Sequence, residues 1–198
     1  MTLCAGRIGV VGRANAGCCQ GCFDITVENL LNPRFSDALL WNLKARDIEP
    51  QRPVLEILRS ALYVTGTDGI LEASNQLVSS GFSFALDDFG TGHASDLSLV
   101  NLPVDLVKID RAFVSGVGSD RQKRSLVSSM IDMATNLRIE VLADGVESDA
   151  DVKVLQDMWC RLFQAFHFGH PMPQEAAPEW ILEREVHRPP PEMNRGRA

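Results

Sequence analysis

An α/β fold, with a parallel sheet curled into a (β/α) barrel, is what this 198-residue sequence predicts, on three observations. First, six short apolar runs alternate with five longer amphipathic ones, the rhythm of βα units on a parallel sheet. Second, Asp24, Glu56, Asp87, Lys108 and Asp144 recur at or near the C-terminal parts of five successive predicted strands. A barrel gathers such positions onto one face, whereas an open doubly wound sheet spreads them in a row. Third, apolar residues make up 45% and charged residues 23%, ordinary values for a chain that buries one hydrophobic core.

The elements follow in order. Residues 1–21 hold scattered glycines and alanines, two arginines and no acids, and read as an irregular leader. A strand is predicted over 22–27 and a helix over 33–46, with Phe35, Leu39, Leu40 and Leu43 on one face. Next come a strand over 54–58, a helix over 68–80 and a strand over 83–89. A short helix over 94–102 is stopped by Pro103. A strand over 106–110, a helix over 122–137, a strand over 140–146, a helix over 149–158 and a strand over 162–168 complete the pattern. The main domain is expected over 22–184, and the Pro- and Arg-rich tail, 185–198, is expected to be disordered.

Composition excludes some classes of function. A net charge of −7 argues against double-stranded nucleic acid as partner, but not against an anionic ligand reached through a bound metal. The sequence has no apolar run long enough to span a bilayer and no secretory-type leader, so a cytoplasmic protein is expected. Five cysteines, four of them at Cys4, Cys18, Cys19 and Cys22, read as free thiols. The Cys18-Cys19-x-x-Cys22 group lacks a second Cys or His pair at matching spacing, and His167-x-x-His170 is a poor zinc pair.

The most informative stretch is Leu86 to Gly92, LDDFGTG, where two adjacent carboxylates end a strand and run into a glycine-rich turn. Strand alternation puts Ser83, Ala85 and Asp87 on one face and the bulky Phe82, Phe84 and Leu86 on the other. The bulky face meets helices, so Asp87 points inward, toward the barrel mouth. Lys108 alternates with Val107 and Ile109 and also points inward, where it can neutralise a phosphate oxygen or orient a water. The plainer alternative for Lys108 is an ion pair with Asp110 or with an acid on a neighbouring strand. For Asp87, Asp88 and Asp144 the plainer alternative is the capping of turns and helices. Clustered carboxylates repel unless a cation holds them together, and an oxygen-only ligand set favours Mg²⁺, Mn²⁺ or Ca²⁺ over softer metals.

The stretch from Leu86 to Val114, LDDFGTGHASDLSLVNLPVDLVKIDRAFV, resembles the signature of EAL-domain cyclic-di-GMP phosphodiesterases. So do VLEIL (54–58), VLADGVES (141–148), FQAFHFGHPMP (163–173) and the upstream ITVENLLNPRF (25–35). The resemblance spans roughly residues 22 to 175 and implies a modified TIM-like barrel that opens the cyclic dinucleotide with Mg²⁺ or Mn²⁺. It implies metal-ligand roles for Glu56, Asp87 and Asp88, with Asp24 at the position of a metal-binding asparagine. Lys108, beside the attacking water, and the acids Asp144 and Glu147 form the implied catalytic set. Thr91, Gln164 and Pro171 are the implied nucleotide-binding residues.

Several positions depart from the family pattern. The Glu-Ala-Leu segment is absent, and with it a metal-ligand glutamate and a phosphate-gripping arginine. Arg59 stands where a second glutamate braces the glycine-rich loop, and Asp144 is one methylene shorter than the family's glutamate. The expectation is an incomplete barrel lacking its first strand, with weak or no phosphodiesterase activity and weak binding of cyclic di-GMP. The alternatives are an active Mg²⁺- or Mn²⁺-dependent phosphodiesterase and a protein-interaction module that binds no nucleotide. The unpaired barrel edge left by the missing strand suggests a homodimer or replacement by the leader.

Overall fold

A computed structural model describes residues 9–13, 19–58, 67–91 and 102–168, with the backbone alone at 9–13, 19–20 and 67–68. Among the described residues, seven strands form a closed barrel in chain order: β1 (Gly9–Arg13), β2 (Cys19–Ile25), β3 (Pro53–Leu58), β4 (Ser83–Phe89), β5 (Leu106–Ile109), β6 (Glu140–Asp144) and β7 (Leu162–Gln164). The helices are α1 (Val27–Leu30), α2 (Phe35–Lys44), α3 (Thr67–Ser79), α4 (Arg111–Val114), α5 (Arg121–Asn136) and α6 (Asp149–Asp157). Strands β2 to β7 run parallel, each paired with the next. The barrel is incomplete against the eight parallel strands of a full (β/α) barrel.

Closure comes from the leader, one of the two ways the open edge was expected to be covered. Within the expected irregular leader, Gly9–Arg13 forms β1, antiparallel to both β2 (Gly9↔Cys22 through Gly12↔Cys19) and β7 (Gly12↔Phe163, Arg13↔Leu162). The leader expectation is therefore corrected over these residues, and β2 begins at Cys19 instead of residue 22. The physical cause is the one that made an open edge suspect. Backbone N–H and C=O groups along β2 and β7 need partners, and a short strand of the same chain supplies them. The edge that suggested a dimer is thus closed within one chain. The expected helix over 94–102 and the tail lie outside the described residues.

Alternation along the strands divides the core in two. Ile25, Leu55, Ile57, Phe84, Leu86, Val107, Ile109, Val141 and Ala143 face outward and are buried under helical residues such as Ile70, Leu77, Val127, Ile131 and Leu155. Leu39, Leu40 and Leu43 of α2 pack partly buried against the same core, and Phe35 is buried within it. Cys22, Val54, Ala85, Leu106, Leu142 and Leu162 face inward and form a second cluster, an apolar floor inside the barrel. Helix entry is set by side-chain caps. Asp120 accepts from the backbone N–H groups of Gln122 and Lys123 at the start of α5, and Ser148 accepts from that of Asp151 at the start of α6.

Candidate functional site

Above the apolar floor, the strand ends present charge. Two residues beyond Cys22 on the inner face of β2 lies Asp24, in register with Glu56 of β3. Asp24, Glu56 and Asp87 each bring a carboxylate oxygen to within 4.8 Å of the other two. Between them sits Lys108, 4% exposed, with its Nζ 3.1 Å from Glu56 Oε2 and 3.5 Å from Asp87 Oδ1. Of the plainer alternatives for Lys108, the ion pair with a neighbouring strand's acid is present, to Asp87 of β4, whereas Asp110 caps α4, accepting from the Ala112 N–H at 2.8 Å.

A local distortion delivers the second acid of the Asp87–Asp88 pair. The β4–β5 register shifts between Leu86 and Phe89, and Asp88 takes a left-handed conformation with φ 55°. A bulge of this kind re-aims side chains at the end of a strand. Here it places Asp88 within the field of Asp87, Asp110 and Lys108 while Phe89 returns to the core. The Asp88 N–H donates to Asp87 Oδ1 at 2.9 Å, and its carbonyl accepts from the Thr91 hydroxyl at 2.8 Å. The turn then passes through Gly90 at φ 101°, where a Cβ would lie 2.6 Å from the Phe113 ring. Only glycine fits that combination of conformation and space.

The electrostatics follow from burial and crowding. Burial raises the Glu56 carboxyl above its ordinary range, only partly offset by the Lys108 charge. Burial likewise raises Asp144, with Lys108 opposing and Asp87 adding to the rise. Asp88 is raised by burial and then by the charges of Asp87 and Asp110. Burial alone would pull Lys108 down, but Glu56, Asp87 and Asp144 outweigh it and hold the ammonium charged.

The remaining sequence-level candidates separate. Gln164 pairs in register with Asp144, and its Oε1 is buried without a hydrogen-bond partner among the described residues. Glu147 stands apart: it is exposed and bonded to Arg111, whose hydrogen bond holds its carboxyl below the ordinary range. Pro171, Arg59 and His170 lie outside the described residues. Cys22 is the free thiol the sequence suggests, buried and raised by its burial and by Glu56; its place beside the acids, which the C-F-D alternation with Asp24 marks, was not drawn from the sequence.

The donor set suits a hard divalent cation. Three carboxylates converge, all donors are oxygen, and Glu56 Oε1 is buried with no hydrogen-bond partner among the described residues. Asp24, Glu56 and Asp87 are the residues that would hold the ion.

Comparison with known proteins gives the family. The chain is 34% identical over 139 residues to the bifunctional diguanylate cyclase/cyclic di-GMP phosphodiesterase MucR of Pseudomonas aeruginosa, covering 70% of this chain and 20% of that protein. It thus spans about a fifth of the length of the curated relatives it matches. The EAL domain of Mycobacterium smegmatis DcpA shares the fold, with a TM-score of 0.81 at 21% identity over 92% of this chain and 96% of that one. Klebsiella pneumoniae BlrP1, solved with manganese and cyclic di-GMP, superposes with a TM-score of 0.72 at 27% identity, over 77% of this chain and 39% of that one. The EAL domain family itself matches residues 14–171, a span that takes in every strand contributing a carboxylate to the mouth, and to that family this chain belongs.

Proposed function

We propose that this chain is a cyclic-di-GMP-signalling EAL domain that holds a divalent cation, Mg²⁺ or Mn²⁺, at Asp24, Glu56 and Asp87 and hydrolyses the dinucleotide weakly or not at all. The observation that carries the reading is one compact carboxylate trio with one internal ammonium already seated on two of its members. Hydrolysis in the family pattern uses a pair of cations that activate a bridging water and neutralise the phosphodiester. Here Asp88 lies outside the trio.

The chain's own residues have definable tasks. Lys108 offers positive charge to a phosphate oxygen at the mouth. Asp144, with its proton affinity raised by burial, is the candidate base, but its shorter side chain stands back from where a glutamate would reach. Misplacement on that scale costs about 100-fold in rate. Gln164 contributes beside it an acceptor that has no partner among the described residues. A cytoplasmic setting agrees with the finding that no described helix is long and apolar enough to cross a membrane.

The test has two parts. Calorimetry with cyclic di-GMP, with and without Mg²⁺, is expected to give weak, metal-dependent binding. Product formation with Mg²⁺ or Mn²⁺ is expected at or near background for wild type and for Lys108→Ala alike. Robust hydrolysis that disappears in Lys108→Ala would show the domain to be an active phosphodiesterase.

A further inference from the structure

We propose that the Lys108 ammonium and a divalent cation are alternative counter-ions for one set of carboxylates, so that Lys108 governs how tightly this site takes metal. The inference rests on the reading of Asp24, Glu56 and Asp87 as the metal site and adds the residue that opposes it.

The geometry leads there directly. Lys108 Nζ lies 3.1 Å from Glu56 and 3.5 Å from Asp87, two of the three acids that converge within 4.8 Å. A cation drawing an oxygen from each of the three must settle within a few ångströms of that ammonium. Burial at 4% exposure leaves little water to screen the two positive charges from each other. Val107 and Ile109 on either side are fully buried, so the strand itself cannot slide to move the lysine away. Lys108 can yield by changing rotamer toward Asp144, a further acid whose charge it feels. A lysine that merely orients water or substrate would aid the metal-loaded site without opposing metal entry. These two roles predict opposite effects of removing the charge.

The experiment titrates Mn²⁺ by calorimetry into the full chain as wild type, Lys108→Met and Lys108→Arg, in the absence of nucleotide. Thermal melts with EDTA and with saturating Mn²⁺ accompany each titration. Lys108→Met is expected to bind Mn²⁺ about tenfold or more tightly than wild type, and Lys108→Arg no more tightly. Lys108→Met is also expected to melt lower than wild type in EDTA and to recover in Mn²⁺, because metal replaces the lost counter-ion. Equal or weaker Mn²⁺ binding by Lys108→Met would overturn the proposal while leaving the metal site standing. Failure of Lys108→Met to fold even in saturating Mn²⁺ would also overturn it, since metal would then be no substitute for the ammonium. Absence of Mn²⁺ binding by any folded form would remove the metal reading itself, and this proposal with it.

Discussion

Leu142→Ala tests whether the barrel interior is the dry, packed floor on which the carboxylate mouth stands. Leu142 is fully buried, belongs to the inner cluster with Cys22, Val54, Ala85, Leu106 and Leu162, and pairs in register with Lys108 and Leu162. Truncation to alanine removes three carbons, a transfer loss of about 2.4 kcal/mol at ~0.8 kcal/mol per methylene. A closed ring of strands cannot collapse inward to fill the space, so a cavity term adds about 1 to 2 kcal/mol. The expected total, about 3 to 4 kcal/mol, corresponds to a fall in melting temperature of roughly 6 to 16 °C for a chain of this size. Urea denaturation at neutral pH measures it, with Leu126→Ala on the exposed side of α5 as the control, expected to change little. A loss below about 1 kcal/mol for Leu142→Ala would mean that the interior is already wet or loosely packed, and the argument from the floor would fall.

Two further outcomes check the frame around the site. Asp151 is 2% exposed and accepts from the Gly118 N–H at 2.8 Å and from the Ser148 hydroxyl at 2.8 Å, so it ties the α4–α5 turn to the start of α6. Asp151→Ala is expected to cost about 2 kcal/mol at pH 7. Although burial opposes it, these hydrogen bonds hold the Asp151 carboxyl below its ordinary value of 3.8. Its stabilisation is therefore complete above that value and is lost as pH falls through the depressed folded-state value, so wild type and variant converge only in strong acid; a gap that is constant with pH would contradict the assignment. Gly90→Ala must place a Cβ 2.6 Å from the Phe113 ring and 2.7 Å from Met130 Cε at φ 101°, whereas Gly116→Ala at φ 78° meets nothing within 4 Å. Backbone strain acts in both and overpacking in the first alone, so urea midpoints are expected to place Gly90→Ala lower by about 1 to 3 kcal/mol, and equal losses would refute the close approach.

Much of the site could be read from strand alternation alone. The pattern S-F-A-L-D in β4 assigns Asp87 to the inside because its neighbours Phe84 and Leu86 have to meet helices, and both are buried in the outer core. L-V-K-I in β5 places Lys108 inward by the same logic. Asp88 lay beyond that logic, since a period of two sends adjacent residues to opposite faces and only the bulge brings it toward the mouth. Glu147 sits one turn past β6, where no periodicity governs direction, and it pairs with Arg111. The strand β1 was hidden for another reason: G-V-V-G-R is short and glycine-rich, and its partner Leu162 lies far along the chain, so no local signal marks it.

The antiparallel course of that strand also sets where the polypeptide enters the barrel. In a run of βα units the chain enters each strand at the end away from the mouth. Because β1 runs the other way, Gly9 stands level with Cys22, on the side toward Asp24, and the strand descends from there to pair Gly12 with Cys19. A domain fused upstream of Gly9 would thus be wired into the barrel from the side of the carboxylate mouth. Its motions would be felt first beside the carboxylates, and tension on that connection would pull on the two seams, β1–β2 and β1–β7, that keep the barrel shut.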